Sequence, residues 1–279
     1  MKFIKIFLLL LISAHAASAQ NSPVIVSSIN PIQQIVLAIT QDKNNSILII
    51  SPTISEHDYQ MKKSDAESIA KADLVFYVDE NLERNFAKIA GRKKSYQLSR
   101  VAGIKLLQKR NDAKKIDPHL WMNPQNAVKI AEFIAQKICE IDAANCPKYQ
   151  QNLAKFQKEI LRAEKIIAAQ LSQIKNQNYV FYHDGYQYFE DYFGLKPLKI
   201  IAKDHDRELS VKDVREFDAL AKNSGVKCLF GDVLDEKNSA KKLAENYKIK
   251  FVALDLIGGE GGYSELLGKM SNAISGCLK

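Results

Sequence analysis

Short apolar runs alternate with amphipathic segments along most of the chain. The apolar runs predict strands over residues 24–29, 46–51, 73–79, 179–182, 198–202, 226–230 and 251–254. The amphipathic segments between them predict helices over residues 30–39, 64–71, 81–90, 185–193, 211–224, 238–247 and 263–275. This alternation is typical of parallel sheets covered by helices, so both halves are predicted to be α/β.

The stretch between the two halves, residues 147–175, has one proline at its start and no glycine. Its apolar residues recur in steps of three and four, along one helical face: Leu153, Phe156, Ile160, Ala163, Ile167, Leu171 and Ile174. A continuous helix here would be about 43 Å long. We predict that it connects an N-terminal lobe (residues 20–146) to a C-terminal lobe (residues 176–279). Two shorter helices with a break near Ala168 are the alternative.

Residues 1–19 have the organisation of a secretory signal peptide. Lys2 and Lys5 precede an apolar run over residues 6–12, and residues 17–19 form a small-residue cleavage site. The apolar run is too short for a transmembrane helix, and an uncleaved anchor is the alternative. We therefore expect a soluble, exported protein.

Composition and charge narrow the functional classes. The 279-residue chain is 46% hydrophobic and 26% charged, which is typical of a globular protein. Its formal net charge is +8, but the lysines are scattered along predicted helices and form no basic arm. Because no nucleic-acid-binding motif accompanies this charge, nucleic acid is not an expected partner.

Four cysteines in an exported chain predict two disulfides. The pairs Cys139–Cys146 and Cys228–Cys277 each stay within one half of the chain, although three pairings are possible. Free buried thiols are the alternative. The sequence contains no C-x-x-C motif, which argues against a thiol-exchange enzyme and against a cysteine-based metal site.

Three histidines lie at the ends of predicted elements. His57 follows the second strand, His119 precedes a helix, and His183 ends a strand. Ligand sites of parallel α/β sheets form at the carboxyl ends of strands, so these side chains are candidates to converge on one metal ion. They are 62 and 64 residues apart with no local metal-binding motif, and solvated loop histidines are the alternative. His15 belongs to the signal segment, and His205 is predicted to be a solvated loop residue.

Four motifs carry a resemblance to a known family. They are S-E-H-D-Y at residues 55–59, D-P-H-L-W-M-N-P at 117–124, Y-H-D-G-Y-Q-Y-F at 182–189 and L-D-L-I-G at 254–258. In this order, the motifs resemble those of the zinc-binding solute-binding proteins of ABC importers. The resemblance implies two α/β lobes of mostly parallel sheet, joined by a single long helix, with a metal ion between the lobes.

The resemblance also implies a set of metal ligands. His57, His119 and His183 match the family's three histidine ligands. Asp255 or Glu56 matches the fourth ligand, and Asp255 is preferred because it would reach the site from the second lobe. A water molecule at an open fourth position is the alternative. A leucine follows Asp255 where the family usually has proline, which leaves the role of this aspartate open.

Neighbouring carboxylates and the ligand types refine this expectation. Asp58, Asp117 and Asp184 lie near the three histidines and are candidates to accept a hydrogen bond from the second ring nitrogen. Helix capping or turn formation is the alternative role. Three imidazoles favour zinc, because manganese prefers more oxygen ligands and manganese-binding members carry glutamate at the position of His183. Residues 105–115 contain no histidine, so the histidine-rich loop of many zinc-binding members is not expected.

The resemblance implies transport rather than catalysis. We expect a monomeric carrier that captures Zn²⁺ in the periplasm and delivers it to an ABC permease of the inner membrane. A manganese- or iron-binding relative, a metal-binding adhesin and a zinc hydrolase with Glu56 as general base are the alternatives. Cys228 and Cys277 also resemble a disulfide pair of zinc-binding members.

Overall fold

The computed structural model describes residues 22–57, 59–90, 94–202, 209–235 and 238–279. The elements before the middle of the chain are β1 (Ile25–Ser27), α1 (Asn30–Thr40), β2 (Ser46–Leu48), α2 (Lys63–Lys71), β3 (Leu74–Tyr77), α3 (Arg84–Ala90), β4 (Ser95–Gln97), β5 (Gln108–Lys109), β6 (Asp112–Ile116) and α4 (Pro124–Ile141). They are followed by α5 (Cys146–Ser172), β7 (Tyr179–His183), α6 (Gln187–Phe193), β8 (Lys199–Ala202), α7 (Val211–Asn223), β9 (Cys228–Asp232), α8 (Ser239–Asn246), β10 (Lys250–Leu254) and α9 (Tyr263–Leu278).

Two four-stranded sheets form the centres of two lobes. The strand order is β2-β1-β3-β4 in the first lobe and β10-β9-β7-β8 in the second, and all paired neighbours are parallel. The central strands are apolar because side chains cover both of their faces. The predicted α/β class is therefore confirmed.

Helix α5 is the long helix that joins the lobes. It is continuous over 27 residues, which is about 40 Å, so the alternative of a break near Ala168 is wrong. It packs against α1 and α4 of the first half of the chain and against α9 of the second half. The main hydrophobic core consequently runs through both lobes, from Ile25 to Leu278. The exact residues at which each lobe begins and ends stay a prediction.

Strand β4 and the antiparallel hairpin β5–β6 are elements that the apolar pattern does not predict. Residues 95–97 are only half-buried, and most of β6 is exposed and rich in lysine. Hairpin β5–β6 occupies part of the segment that carries no histidine, residues 105–115, and it leads directly into the motif around His119.

Both predicted disulfides are present. Cys139–Cys146 joins the end of α4 to the start of α5, and Cys228–Cys277 joins β9 to α9. Within the part of the chain that the structure describes, no helix has the length and apolarity needed to cross a membrane. The predicted signal peptide lies outside the described residues.

Candidate metal centre

The three histidines of the sequence motifs meet where the two lobes face each other. His57 lies in the loop after β2, His119 lies between β6 and α4, and His183 is the last residue of β7. One ring nitrogen of each histidine lies within 4.8 Å of those of the other two. The ring centroids are 5.5–6.0 Å apart. The structure thus brings together three imidazoles that are distant along the chain.

The cluster is open to solvent on one side. The side chains of His119 and His183 are 4% and 8% exposed, whereas that of His57 is 16% exposed. Two of the three imidazoles are therefore held inside the protein, and the third lies at the boundary with water.

The hydrogen bond between His119 and Asp117 fixes which ring nitrogen is available for a metal. His119 Nδ1 lies 2.7 Å from Asp117 Oδ1, which also accepts the His119 main-chain N–H at 3.0 Å. An ionised carboxylate can only accept, so Nδ1 carries the proton and Nε2 presents its lone pair. Nε2 is buried and has no hydrogen-bond partner among the described residues. This arrangement is the usual one for a metal-ligating histidine.

The charge environment of His119 has two opposing effects on its pKa. Burial lowers the pKa of His119. The carboxylate of Asp117, with smaller effects from Glu56 and Asp184, raises the pKa, and together these carboxylates outweigh burial. The net result is a pKa above the ordinary value of 6.5. The neighbouring carboxylates thus favour positive charge at this imidazole, and a metal ion bound at Nε2 would supply that charge in place of a second proton.

Glu56 is the predicted carboxylate that lies against the cluster. Its Oε1 is 3.8 Å from His57 Nε2 and 4.0 Å from His119 Nε2, and the side chain is buried. Asp255 follows β10, and its Oδ1 accepts hydrogen bonds from the N–H groups of Ile257 and Gly258 at 3.0 and 2.7 Å. The geometry places Glu56 beside two ring nitrogens and ties Asp255 into a turn.

Asp232 is a site carboxylate that the motifs do not indicate. It ends β9, the strand beside β7, and its Oδ2 lies 3.7 Å from His183 Nδ1. Only its position in the sheet could have indicated it. An acidic residue at the carboxyl end of one strand lies at the same sheet edge as a histidine at the carboxyl end of the neighbouring strand. Asp184 instead contacts Arg110, a second residue that the motifs do not indicate. Asp58 and His205 lie outside the described residues.

The loop after β10 is bonded to the first lobe beside the cluster. The side-chain Nδ2 of Asn30 donates to the carbonyl oxygens of residues 257–259 at 2.8–3.2 Å. Trp121 Nε1 donates to the carbonyl of Leu256 at 2.9 Å, and Tyr263 donates from its hydroxyl group to the carbonyl of Trp121. These bonds fix the segment that carries His119 against the second lobe.

Two α/β lobes with parallel sheets that place imidazoles from three separate segments around one point define a metal-binding protein. The sequence matches the family described as ZnuA, zinc-uptake complex component A, periplasmic, over residues 25–277, and the chain belongs to this family. The resemblance seen in the motifs is thereby confirmed.

Relatives and solved structures agree with this membership. The high-affinity zinc uptake system protein ZnuA of Brucella abortus (strain 2308) is 25% identical over 304 residues, covering 91% of each chain. The protein of the same name from Yersinia pestis is 24% identical and covers 92% of each chain. A crystal structure of ZnuA superimposes with a TM-score of 0.81 at 20% identity, covering 91% of this chain and 98% of the other. At this identity, the structural match supports the fold alone.

Proposed function

We propose that this protein is a zinc-binding carrier of the periplasm that delivers Zn²⁺ to an ABC permease. The observation that carries the proposal is the convergence of His57, His119 and His183, whose ring nitrogens lie within 4.8 Å of one another. Membership of the ZnuA family and the zinc-uptake names of the relatives support it.

The cluster needs only a small adjustment to bind zinc. Two nitrogens bound to one tetrahedral Zn²⁺ at the usual bond length are roughly 3.3 Å apart. The histidine nitrogens are within about an ångström or two of that spacing, so side-chain rotations bring them into place. His119 is already oriented by Asp117, and its free lone pair is on Nε2.

We infer that Glu56 is the fourth ligand, ahead of Asp255. The Glu56 carboxylate lies within 4.0 Å of two site nitrogens, whereas the Asp255 carboxylate holds two N–H groups of its own turn. Glu56→Gln is expected to weaken zinc binding more than Asp255→Asn does. The reverse order, measured by competition titration, would assign the fourth position to Asp255.

The alternative functions are less consistent with this site. A manganese carrier would need more oxygen ligands than three imidazoles leave room for. A zinc hydrolase would need an open metal position for water, whereas the Glu56 carboxylate lies within 4.0 Å of two site nitrogens and is placed to fill it. The family is one of transport receptors, which supports binding rather than catalysis.

The test is metal analysis of the mature protein with competition titrations of zinc and manganese. We expect one zinc per chain and a clear preference for zinc over manganese. His119→Ala is expected to weaken zinc binding by orders of magnitude. His205→Ala, which changes the histidine that the sequence predicts to be a solvated loop residue, is expected to have little effect. A wild-type protein that binds no zinc, or that prefers manganese, would refute the proposal.

A further inference from the structure

Hairpin β5–β6 belongs to the first half of the chain but lies along helix α6 of the second lobe. Lys105 Nζ, just before the hairpin, is 2.6 Å from Asp191 Oδ2. The carbonyl of Gln108 accepts a hydrogen bond from Gln187 Nε2 at 3.2 Å. The hydroxyl of Tyr188 accepts the N–H of Leu107 and donates to the carbonyl of Asp117, both at 2.9 Å. The hairpin is therefore docked along the length of α6.

Arg110, at the turn of this hairpin, makes a second charged contact between the two lobes, to two buried carboxylates. Its Nη1 donates a hydrogen bond to Asp184 Oδ1, and its Nη2 donates to Glu190 Oε2 at 2.7 Å. The carboxylate side chains are 8% and 5% exposed, and the arginine side chain is 29% exposed. One guanidinium group thus spans two buried carboxylates, which its planar, forked geometry allows.

The two carboxylates depend on this arginine for charge compensation. Burial raises the pKa of Glu190 to about 7, an effect that Arg110 opposes. A carboxylate left buried without its partner is strongly unfavourable. Removal of Arg110 would therefore favour separation of the hairpin from α6, because separation lets water reach Asp184 and Glu190.

Both ends of the Arg110 contact lead to proposed zinc ligands. Asp184 directly follows His183 at the end of β7. On the other side, β6 runs from the hairpin turn to Asp117, whose carboxylate orients His119. The contact therefore links a histidine of one lobe to the segment that orients a histidine of the other.

We propose that Arg110 is a positioning residue of the metal site, which holds the His119 and His183 segments together and slows the release of zinc. The inference rests on the proposed zinc-carrier function. Arg110 acts through Asp184 and Glu190 and does not touch the metal. The ligand-bearing segments are held at their mutual distance by the lobe-to-lobe contact as well as by the metal.

Whether zinc release becomes faster or slower when Arg110 is removed distinguishes a positioning role from a purely electrostatic one. Removal of a positive charge near a Zn²⁺ site makes the local potential more negative, which alone would strengthen cation binding and slow its release. Loss of positioning has the opposite consequence, because looser segments let the metal leave faster. A faster release after removal of Arg110 is therefore specific to positioning.

Lys115 provides a matched control on the same hairpin. It carries the same charge as Arg110 and is exposed, but its ion pair is with Asp112 of the hairpin itself, at 3.4 Å. Lys115→Ala removes one positive charge and one ion pair within the hairpin and leaves the Arg110 ion pairs to Asp184 and Glu190 in place.

The experiment measures the zinc dissociation rate of the full mature protein at 25 °C, by transfer of zinc to a chromophoric chelator in excess. We expect Arg110→Ala to release zinc at least roughly tenfold faster, within the 10–100-fold range usual for residues that orient metal ligands. Arg110→Lys keeps the charge without the fork and should recover part of the loss. Lys115→Ala should match the wild type.

Three results would overturn the positioning role. They are a release rate of Arg110→Ala within twofold of the wild type, a slower release, and an equal acceleration in Lys115→Ala. Circular dichroism verifies that each variant is folded at 25 °C, and if Arg110→Ala is not folded, Arg110→Lys alone must release zinc faster than wild type. A wild-type protein that binds no zinc would refute the carrier function itself. Normal zinc binding with an unchanged release rate in Arg110→Ala would refute only the positioning role.

Discussion

Asp117 determines the orientation of His119, and its removal tests how much this orientation contributes to binding. We predict that Asp117→Asn weakens zinc binding roughly 10–100-fold, because the neutral amide no longer holds the Nδ1 proton as strongly and the ligand nitrogen becomes less basic. Competition titration against a chelator measures the change. Asp112→Asn, which alters a half-buried aspartate of the nearby hairpin, is the control and should bind like the wild type.

The raised pKa of His119 predicts how zinc affinity depends on pH. Protonation of the imidazole competes with zinc, since only the neutral ring binds metal. Affinity should therefore fall as the pH is lowered through the folded pKa, and the fall should begin above pH 6.5 because the pKa is raised. The stability of the zinc-free protein depends on pH in the opposite direction. The stabilisation from protonated His119 is fully present below pH 6.5 and is lost as the pH rises through the folded pKa. An affinity that is constant between about pH 7.5 and 5.5 would contradict the site.

At the residue scale, the sequence indicates the site through its motifs but not through its contacts. His57, His119 and His183 are recognisable because each lies near the end of a predicted element and stands in a family motif. Arg110 and Asp232 are not, because their roles depend on strand order and on the docking of a hairpin, which local sequence does not encode. The choice between carboxylates for the fourth ligand likewise depends on the geometry of the turns that carry them.

At the element scale, the glycine-rich loop after β10 requires glycine at position 258. Gly258 has φ +71°, and a β-carbon there would lie 3.2 Å from Gln34 Nε2 on α1. We predict that Gly258→Ala lowers the free energy of unfolding by about 1–2 kcal/mol. Chemical denaturation measures the loss. Gly259→Ala is the matched control, since a β-carbon there meets no atom within 4 Å, and an equal loss in both variants would contradict the assignment.

Elements with strong apolar patterns are the ones that the sequence predicts. The central strands of both sheets and the long helix α5 are buried on a regular face, so their periodicity is visible. Hairpin β5–β6 is short and polar, and it is held by bonds to α6 rather than by its own apolar face. The disulfide pairing is likewise fixed by the fold, since four cysteines alone permit three pairings.

At the scale of the whole molecule, the lobes have little freedom to rotate. Helix α5 packs on elements of both lobes, the main core is continuous, and Trp121 and Tyr263 bond the lobes beside the site. We predict that zinc binding is accompanied by local adjustments without hinge closure. Small-angle scattering should give nearly the same radius of gyration with and without zinc. A large compaction on zinc addition would show that the lobes move as rigid bodies.

The unequal exposure of the three imidazoles implies an order of ligand exchange. With zinc bound as proposed, His119 and His183 hold the ion from within the protein, and His57 is the metal ligand that a competing ligand reaches first. Replacement of His57 by a donor from an acceptor protein would leave the ion shared between two macromolecules before the inner bonds break. Zinc would then pass to its acceptor by stepwise substitution, without an interval as a free ion in water.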